Sequence, residues 1–212
     1  MLLEGSPGVG KTLTAEAVAD KLYRPLYSVS GGQLGETAEE VELALSMILE
    51  LAAKWDAVLL LDECDVFLEK RGVNSLRRNG TVSVFLRLLE YYTGVLFMTT
   101  NRVDTIDPAF QSRIHLTIEY PKLSEAARCQ IWKQFLAINC PDTTIGDQEI
   151  QVLAKVDLNG REIKNLIKTA QLLAGHENVA LDIEHCQTVL QVTKWHHKSG
   201  AQGVAPPSEE ST

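Results

Sequence analysis

Gly5-Ser6-Pro7-Gly8-Val9-Gly10-Lys11-Thr12 follows the apolar run Met1-Leu2-Leu3 and leads into a helical pattern. The spacing G-x-x-x-x-G-K-[ST] has a physical cause. Glycines let successive backbone N–H groups curl round a polyphosphate, Lys11 reaches its outer phosphates, and the Thr12 hydroxyl takes a Mg2+ ion. A helix predicted from Thr12 to about Leu22 aims its N-terminal dipole and free N–H groups at the same anion. Gly5, Ser6, Pro7, Gly8, Val9, Gly10, Lys11, Thr12 and Leu13 are therefore the candidate nucleotide contacts, and Thr12 is also a candidate metal ligand. The plainer reading is a glycine-rich turn that carries a lysine, and the strand-loop-helix context weakens it.

The flanking chain reads as alternating strands and helices. Pro25 to Ser30 (PLYSVS) predicts a strand ended by Gly31-Gly32. Thr37-Ala38-Glu39-Glu40 supplies a capping box for a helix with Val41, Leu45, Ile48, Leu49 and Ala52 on one face. Ala57 to Leu61 is a continuous apolar run, the profile of a parallel strand buried on both faces, and it delivers Asp62-Glu63 to a carboxyl edge. Thr81 to Tyr92 predicts a helix with Val82, Phe85, Leu86 and Leu89 inward, and Val95 to Thr100 a further buried strand running into Asn101-Arg102. Asp107-Pro108 opens a short helix, and Ile114 to Ile118 alternates as a last strand. This succession predicts an α/β fold, a three-layer αβα parallel sheet of the P-loop kind with ligands at the strands' carboxyl ends.

After Pro121 the pattern becomes helical throughout. Ser124 begins a helix carrying Ile131, Trp132, Phe135 and Leu136, an apolar stretch spans Ile150 to Val156, Asn159-Gly160-Arg161-Glu162 caps a third helix, and Asp182 opens a fourth. The expected organisation is an αβ unit over 1–121, a small helical unit over 122–197, and a disordered Gly, Ser, Pro and Glu tail over 198–212. Only four residues precede Gly5, fewer than the strand of about five that usually feeds such a loop, so the chain reads as cut short at its N-terminus.

Composition narrows the classes. With 212 residues, 45% hydrophobic, the chain can bury a substantial core. A net charge of -8 argues against a general nucleic-acid or anionic-membrane binder, which needs an excess of Lys and Arg. Cys64, Cys129, Cys140 and Cys186 show no paired metal-ligand spacing, so free thiols in a reducing compartment are expected. No secretory signal or membrane-length apolar run is visible, which predicts a soluble, intracellular protein.

The second chemical constellation is Asp62-Glu63. Beside the phosphate loop, Asp62 is placed to hold Mg2+ through water, and Glu63 to orient or deprotonate an attacking water. A pair of solvated acids at a strand end is the plain alternative.

The phosphate loop, Asp62-Glu63, Thr100-Asn101-Arg102 and Asp107-Pro108-Ala109-Phe110 with Arg113, in that order, resemble the ATPase core of AAA+ proteins over about residues 1 to 196. The wording LLLDECDVFLEKR, TTNRVD and DPAFQSRIHL is most similar to that of large fungal AAA ATPases. The resemblance implies ATP and Mg2+ as cofactors, with Lys11 and Thr12 on the phosphates and metal, Asp62 supporting the metal, and Glu63 as the catalytic carboxylate. Asn101 matches the sensor-1 residue that holds the lytic water or γ-phosphate. Arg113 matches the arginine finger offered to a neighbouring subunit, and Arg161 resembles the sensor-2 arginine of a helical lid. It further implies a homo-oligomeric ring that binds ATP and ADP and couples hydrolysis to remodelling of a protein or assembly.

Departures accompany the likeness. Gln111-Ser112-Arg113 offers one arginine where many members carry two, and Ser30 to Glu39, at the position of the substrate-gripping pore loop, has no aromatic residue. The basic cluster Lys70-Arg71 to Arg77-Arg78 reads as a solvated loop or as a pore or subunit contact. Two other classes stay open. A P-loop small-molecule kinase would lack the Glu63, Asn101 and Arg113 set and would need an acceptor-binding lid. A nucleotide-dependent interaction module would bind ATP with little turnover.

Overall fold

The computed structural model describes residues 1–68, 76–102 and 106–199. In chain order they form β1 (Leu2–Gly5), α1 (Lys11–Lys21), β2 (Leu26–Ser30), a short 3-10 turn (Gly31–Leu34), α2 (Ala38–Lys54), β3 (Val58–Asp62) and α3 (Asp65–Leu68). Then come α4 (Leu76–Glu90), β4 (Leu96–Thr100), α5 (Pro108–Gln111) and β5 (Thr117–Tyr120). These belong to a first compact unit, Met1–Lys122. The second unit begins at Leu123 and contains α6 (Glu125–Asn139), α7 (Asp147–Ala154), α8 (Gly160–Glu177) and α9 (Ile183–Ser199). Among the described residues no helix is long and apolar enough to cross a membrane.

The five strands pair in the order β2-β3-β4-β1-β5, every pair parallel. Val58, Leu59, Leu60 and Leu61 of β3 are all fully buried, because alternate side chains meet different cores. Leu59 and Leu61 join Val41 and Leu45 of α2 and Val82 and Phe85 of α4. Val58 and Leu60 join Ala15 and Ala19 of α1 on the other face. Helices thus cover both faces, and the three-layer αβα sheet read from the sequence is the fold of the first unit.

The starts of the helices follow local chemistry. Thr37 Oγ1 accepts from the Glu40 amide and Glu40 Oε2 from the Thr37 amide, each at 3.2 Å, closing the capping box of α2. Asp107 Oδ1 accepts from the Ala109 amide at 2.8 Å, with Pro108 at the first helical position of α5.

Two elements start several residues away from where the sequence reading puts them, and α9 runs to Ser199, into the stretch expected to be disordered from 198. The last strand is Thr117–Tyr120, not Ile114–Ile118. The amides of Arg113 and Ile114 both donate to the Phe110 carbonyl, at 2.9 and 3.0 Å, so the chain is still unwinding from α5 when the alternation begins. Ile114 packs against the core from that turn, and β5 starts only after Leu116, whose carbonyl accepts from the Leu2 amide. Helix α4 begins at Leu76, ahead of the expected Thr81. Lys70, Arg71 and the stretch from 200 onward lie outside the described residues, as do the side chains of Arg77 and Arg78.

In the second unit Trp132 and Leu136 of α6 pack with Ile150 and Leu153 of α7, Ile163 and Ile167 of α8, and Cys186 of α9. Arg128 fastens its entry: Nε donates to the Ala154 carbonyl at 2.7 Å, and Nη1 to the Leu123 carbonyl at 2.7 Å and Asp157 Oδ1 at 3.1 Å. All four cysteines are free thiols. Burial pushes Cys64 and Cys140 up from the ordinary thiol value and Cys186 up to about 12, which keeps all three protonated.

Candidate functional site

A parallel sheet brings every strand's carboxyl end to one edge, and the polar motifs of the first unit collect there. β1 ends at Gly5 and opens into the phosphate loop. β3 ends at Asp62, and β4 ends at Thr100 beside Asn101. In the loop Gly8 and Gly10 hold φ of 73° and 106°, left-handed values that favour glycine, and a Cβ on Gly10 would stand in open space. Helix α1 starts directly after Gly10 with no side-chain cap and no acidic residue in its first turn. Its first N–H groups are left to an outside anion, unlike those of α2 and α8, which Thr37 and Asn159 cap.

Lys11 lies folded back across the loop it belongs to. The residue is only 7% exposed, and Nζ donates to the carbonyls of Gly5 at 2.7 Å and Ser6 at 2.9 Å and to Asn101 Oδ1 at 2.8 Å. The last bond joins the end of β4 to the phosphate loop, 90 residues apart in sequence. One residue on, the Thr12 hydroxyl faces both carboxylate oxygens of Asp62, at 3.4 and 3.3 Å. A hydroxyl and a carboxylate side by side are the hard oxygen donors Mg2+ takes, and an ammonium with a free helix start suits a polyphosphate, so the donor set fits Mg-nucleotide.

Asp62 receives a second hydroxyl, from Thr99 of β4. The same Thr99 oxygen accepts the Glu63 amide at 2.9 Å, and the Thr99 carbonyl accepts the Cys64 amide at 3.0 Å. Glu63 itself is exposed, with φ of 56°, a left-handed value rare for a residue with a side chain. Just beyond, Asp65 accepts the hydroxyl of Thr100 and, at 3.0 Å, the amide of Asn101. The structure therefore brings Lys11, Thr12, Asp62, Glu63 and Asn101 to one place.

Arg113 is held elsewhere in the first unit. Its guanidinium donates to Glu90 Oε2 and to the Ala109 carbonyl, each at 3.1 Å, and the residue is exposed. Arg161 stands exposed in the first turn of α8, in the second unit. Thr99 and Asp65, which fix the two strand ends to one another, were missed in the sequence. The visible signal was the doubled Thr99-Thr100 at the end of an otherwise apolar strand.

Comparison with known proteins agrees with this geometry. The model of the ATPase family associated with various cellular activities (AAA) matches residues 1–122. The ATP-dependent zinc metalloprotease FtsH of Rhodothermus marinus is 33% identical over 193 residues, covering 84% of this chain and 27% of the relative. The 26S proteasome regulatory subunit 8 homolog of Encephalitozoon cuniculi is 32% identical over 193 residues, covering 84% and 48%. The ATP-dependent zinc metalloprotease YME1 homolog of Caenorhabditis elegans is 28% identical over 190 residues, covering 84% and 26%. The chain thus spans about a quarter to a half of the length of these curated relatives. A family match over more than half of the chain, on the unit that holds the phosphate loop and the Asp62-Glu63 edge, means that the chain belongs to the AAA family of ATPases, whose nucleotide and metal are ATP and Mg2+.

Proposed function

We propose that this chain is the ATP-hydrolysing module of a larger protein, and that it couples hydrolysis to remodelling of a protein or assembly in an oligomeric ring. The observation that carries the reading is the pair of contacts across the carboxyl edge, Lys11 to Asn101 at 2.8 Å and Thr12 to Asp62 at 3.3 Å. They set an ammonium against an amide oxygen, and a hydroxyl against a carboxylate, at the same carboxyl edge of the sheet. When bound, Mg-ATP supplies an electrophilic γ-phosphorus and a cation that spreads the charge of its oxygens.

Each residue has a task that its place allows. Lys11 binds the outer phosphates, together with the first N–H groups of α1. Thr12 and Asp62 would hold the metal. Glu63, exposed at the edge, takes the proton of the attacking water or orients it, and Asn101 holds that water or the γ-phosphate from β4. Arg113 serves a neighbouring subunit's nucleotide, and Arg161 the nucleotide of its own chain from a helical lid. Two of the relatives are named for ATP-dependent proteolysis and one for proteasome regulation, which supports a protein as the object of the work.

Glu63→Gln tests the chemical half of the proposal. It removes the base but keeps the shape, so Mg-ATP affinity stays near the wild-type value while phosphate release slows by roughly 10² or more. Equal loss of binding and turnover would make Glu63 a metal or structural residue instead.

A further inference from the structure

We propose that Thr99 is a positioning residue for hydrolysis: by fixing the backbone of Glu63 it aims the Glu63 carboxylate at the water. This rests on the ATPase reading above. Thr99 is 1% exposed and lies on β4 one step past the pair Leu61↔Met98, which sets it directly across from Asp62. Its single hydroxyl proton goes to the Asp62 carboxylate, which can only accept, and its lone pair is then available to the Glu63 amide at 2.9 Å. The Thr99 carbonyl takes the next amide, that of Cys64, at 3.0 Å. One residue therefore grips the chain on both sides of Glu63.

That grip falls where the backbone needs it. Glu63 has φ of 56°, and a non-glycine residue stays there only when its surroundings over-determine it. From the opposite side Gly31 closes the turn. A Cβ at Gly31 would sit 2.7 Å from the Glu63 carbonyl oxygen and 3.4 Å from Cys64 Cα, so the 3-10 turn after β2 presses on the same peptide. A carboxylate on a left-handed residue points in a direction that an extended or helical backbone would not give it. Without the Thr99 hydroxyl the amide of Glu63 loses its acceptor, the turn relaxes, and the carboxylate leaves its aim while the phosphate loop is untouched.

The test compares Thr99→Val, nearly the same shape without a hydroxyl, with Thr99→Ser, which keeps it. In steady-state ATPase assays on this chain, Thr99→Val lowers kcat about 10- to 100-fold, as a misplaced catalytic group does. KM and Mg-ATP affinity stay within about threefold, and Thr99→Ser recovers most of the rate. The decisive measurement is a double-mutant cycle: in the Glu63→Gln background, adding Thr99→Val changes kcat by less than about threefold, because there is no carboxylate left to aim. The proposal is overturned if Thr99→Val keeps the wild-type kcat while Glu63→Gln is slow. It is overturned equally if the two losses multiply, or if the defect is a raised Mg2+ requirement at unchanged kcat, which would tie Thr99 to Asp62 alone. Should Thr99→Val fail to fold by circular dichroism, Thr99→Ala is assayed in its place, and full kcat there overturns the proposal. A wild-type chain without turnover, or a Glu63→Gln variant as fast as wild type, instead refutes the ATPase reading before Thr99 is varied, and the Thr99 proposal falls with it.

Discussion

Replacing Lys11 by Met keeps an unbranched side chain of similar length and removes only the charge and its donors. Lys11 is 7% exposed as a residue, and for unit charges about 4 Å apart at an effective dielectric near 20 its attraction to a phosphate oxygen is about 4 kcal/mol. Against this stands the contact that Lys11 already makes with Asn101 Oδ1 at 2.8 Å, a charge-assisted bond worth about 1.5–3 kcal/mol that is exchanged on binding. The difference, about 1–2.5 kcal/mol, predicts an Mg-ATP dissociation constant raised about 5- to 60-fold in Lys11→Met. Titration calorimetry measures it. The carbonyls of Gly5 and Ser6 also lose their donor, so a lower melting temperature is expected and the titration is run well below it. A folded Lys11→Met chain that binds Mg-ATP within twofold of wild type would refute the assignment of this loop to phosphate.

Arg113→Ala is expected to bind ATP normally and to be nearly inactive, since a guanidinium supplied in trans contributes roughly 10³ to 10⁵ in rate. Mixing it with Lys11→Met should return some activity through interfaces that pair one intact loop with one intact Arg113; no recovery, with wild-type specific activity flat across protein concentration, rules out the trans role. In the second unit the His185 amide, followed by the His185 ring, holds the Asp182 carboxyl below the ordinary carboxylate range. A depressed value stabilises the fold above about pH 4 and loses that contribution as pH falls through the folded-state value, so Asp182→Asn should flatten the acid limb of urea midpoints measured from pH 7 to 3. Parallel limbs for the two proteins would count against it.

The sheet was legible because its signals are local and strong. The run from Ala57 to Leu61 has no polar interruption, which only two-sided burial explains, and the Thr37-Glu40 capping box is spelled out in four letters. Lys11, Thr12, Asp62, Glu63 and Asn101 were legible as types at motif spacing, and parallel topology then forces them together. The last strand was not, because the alternation Ile114, Leu116, Ile118 mimics a strand while the first of these faces the core from a helical turn. Nor was Thr99: a threonine in a strand is ordinary, and what sets this one apart is the register that puts it opposite Asp62. Pairing between strands separated by an intervening helix is a long-range property that periodicity does not carry.

The same two-sided burial explains why the site sits where it does and why its parts act together. A strand enclosed by helices on both faces tolerates polar side chains only at its end, so β3 and β4 carry theirs in their final residues, Asp62 on one and Thr99 and Thr100 on the other. There they must satisfy one another. Asp62 takes hydroxyls from Thr12 and Thr99, Asp65 takes the Thr100 hydroxyl and the Asn101 amide, and Asn101 reaches Lys11. The edge these strands share is thus lined by donors and acceptors that the fold itself brings together. Substitutions of residues that share a hydrogen bond here, such as Lys11 with Asn101 or Thr12 with Asp62, should therefore couple in double-mutant cycles.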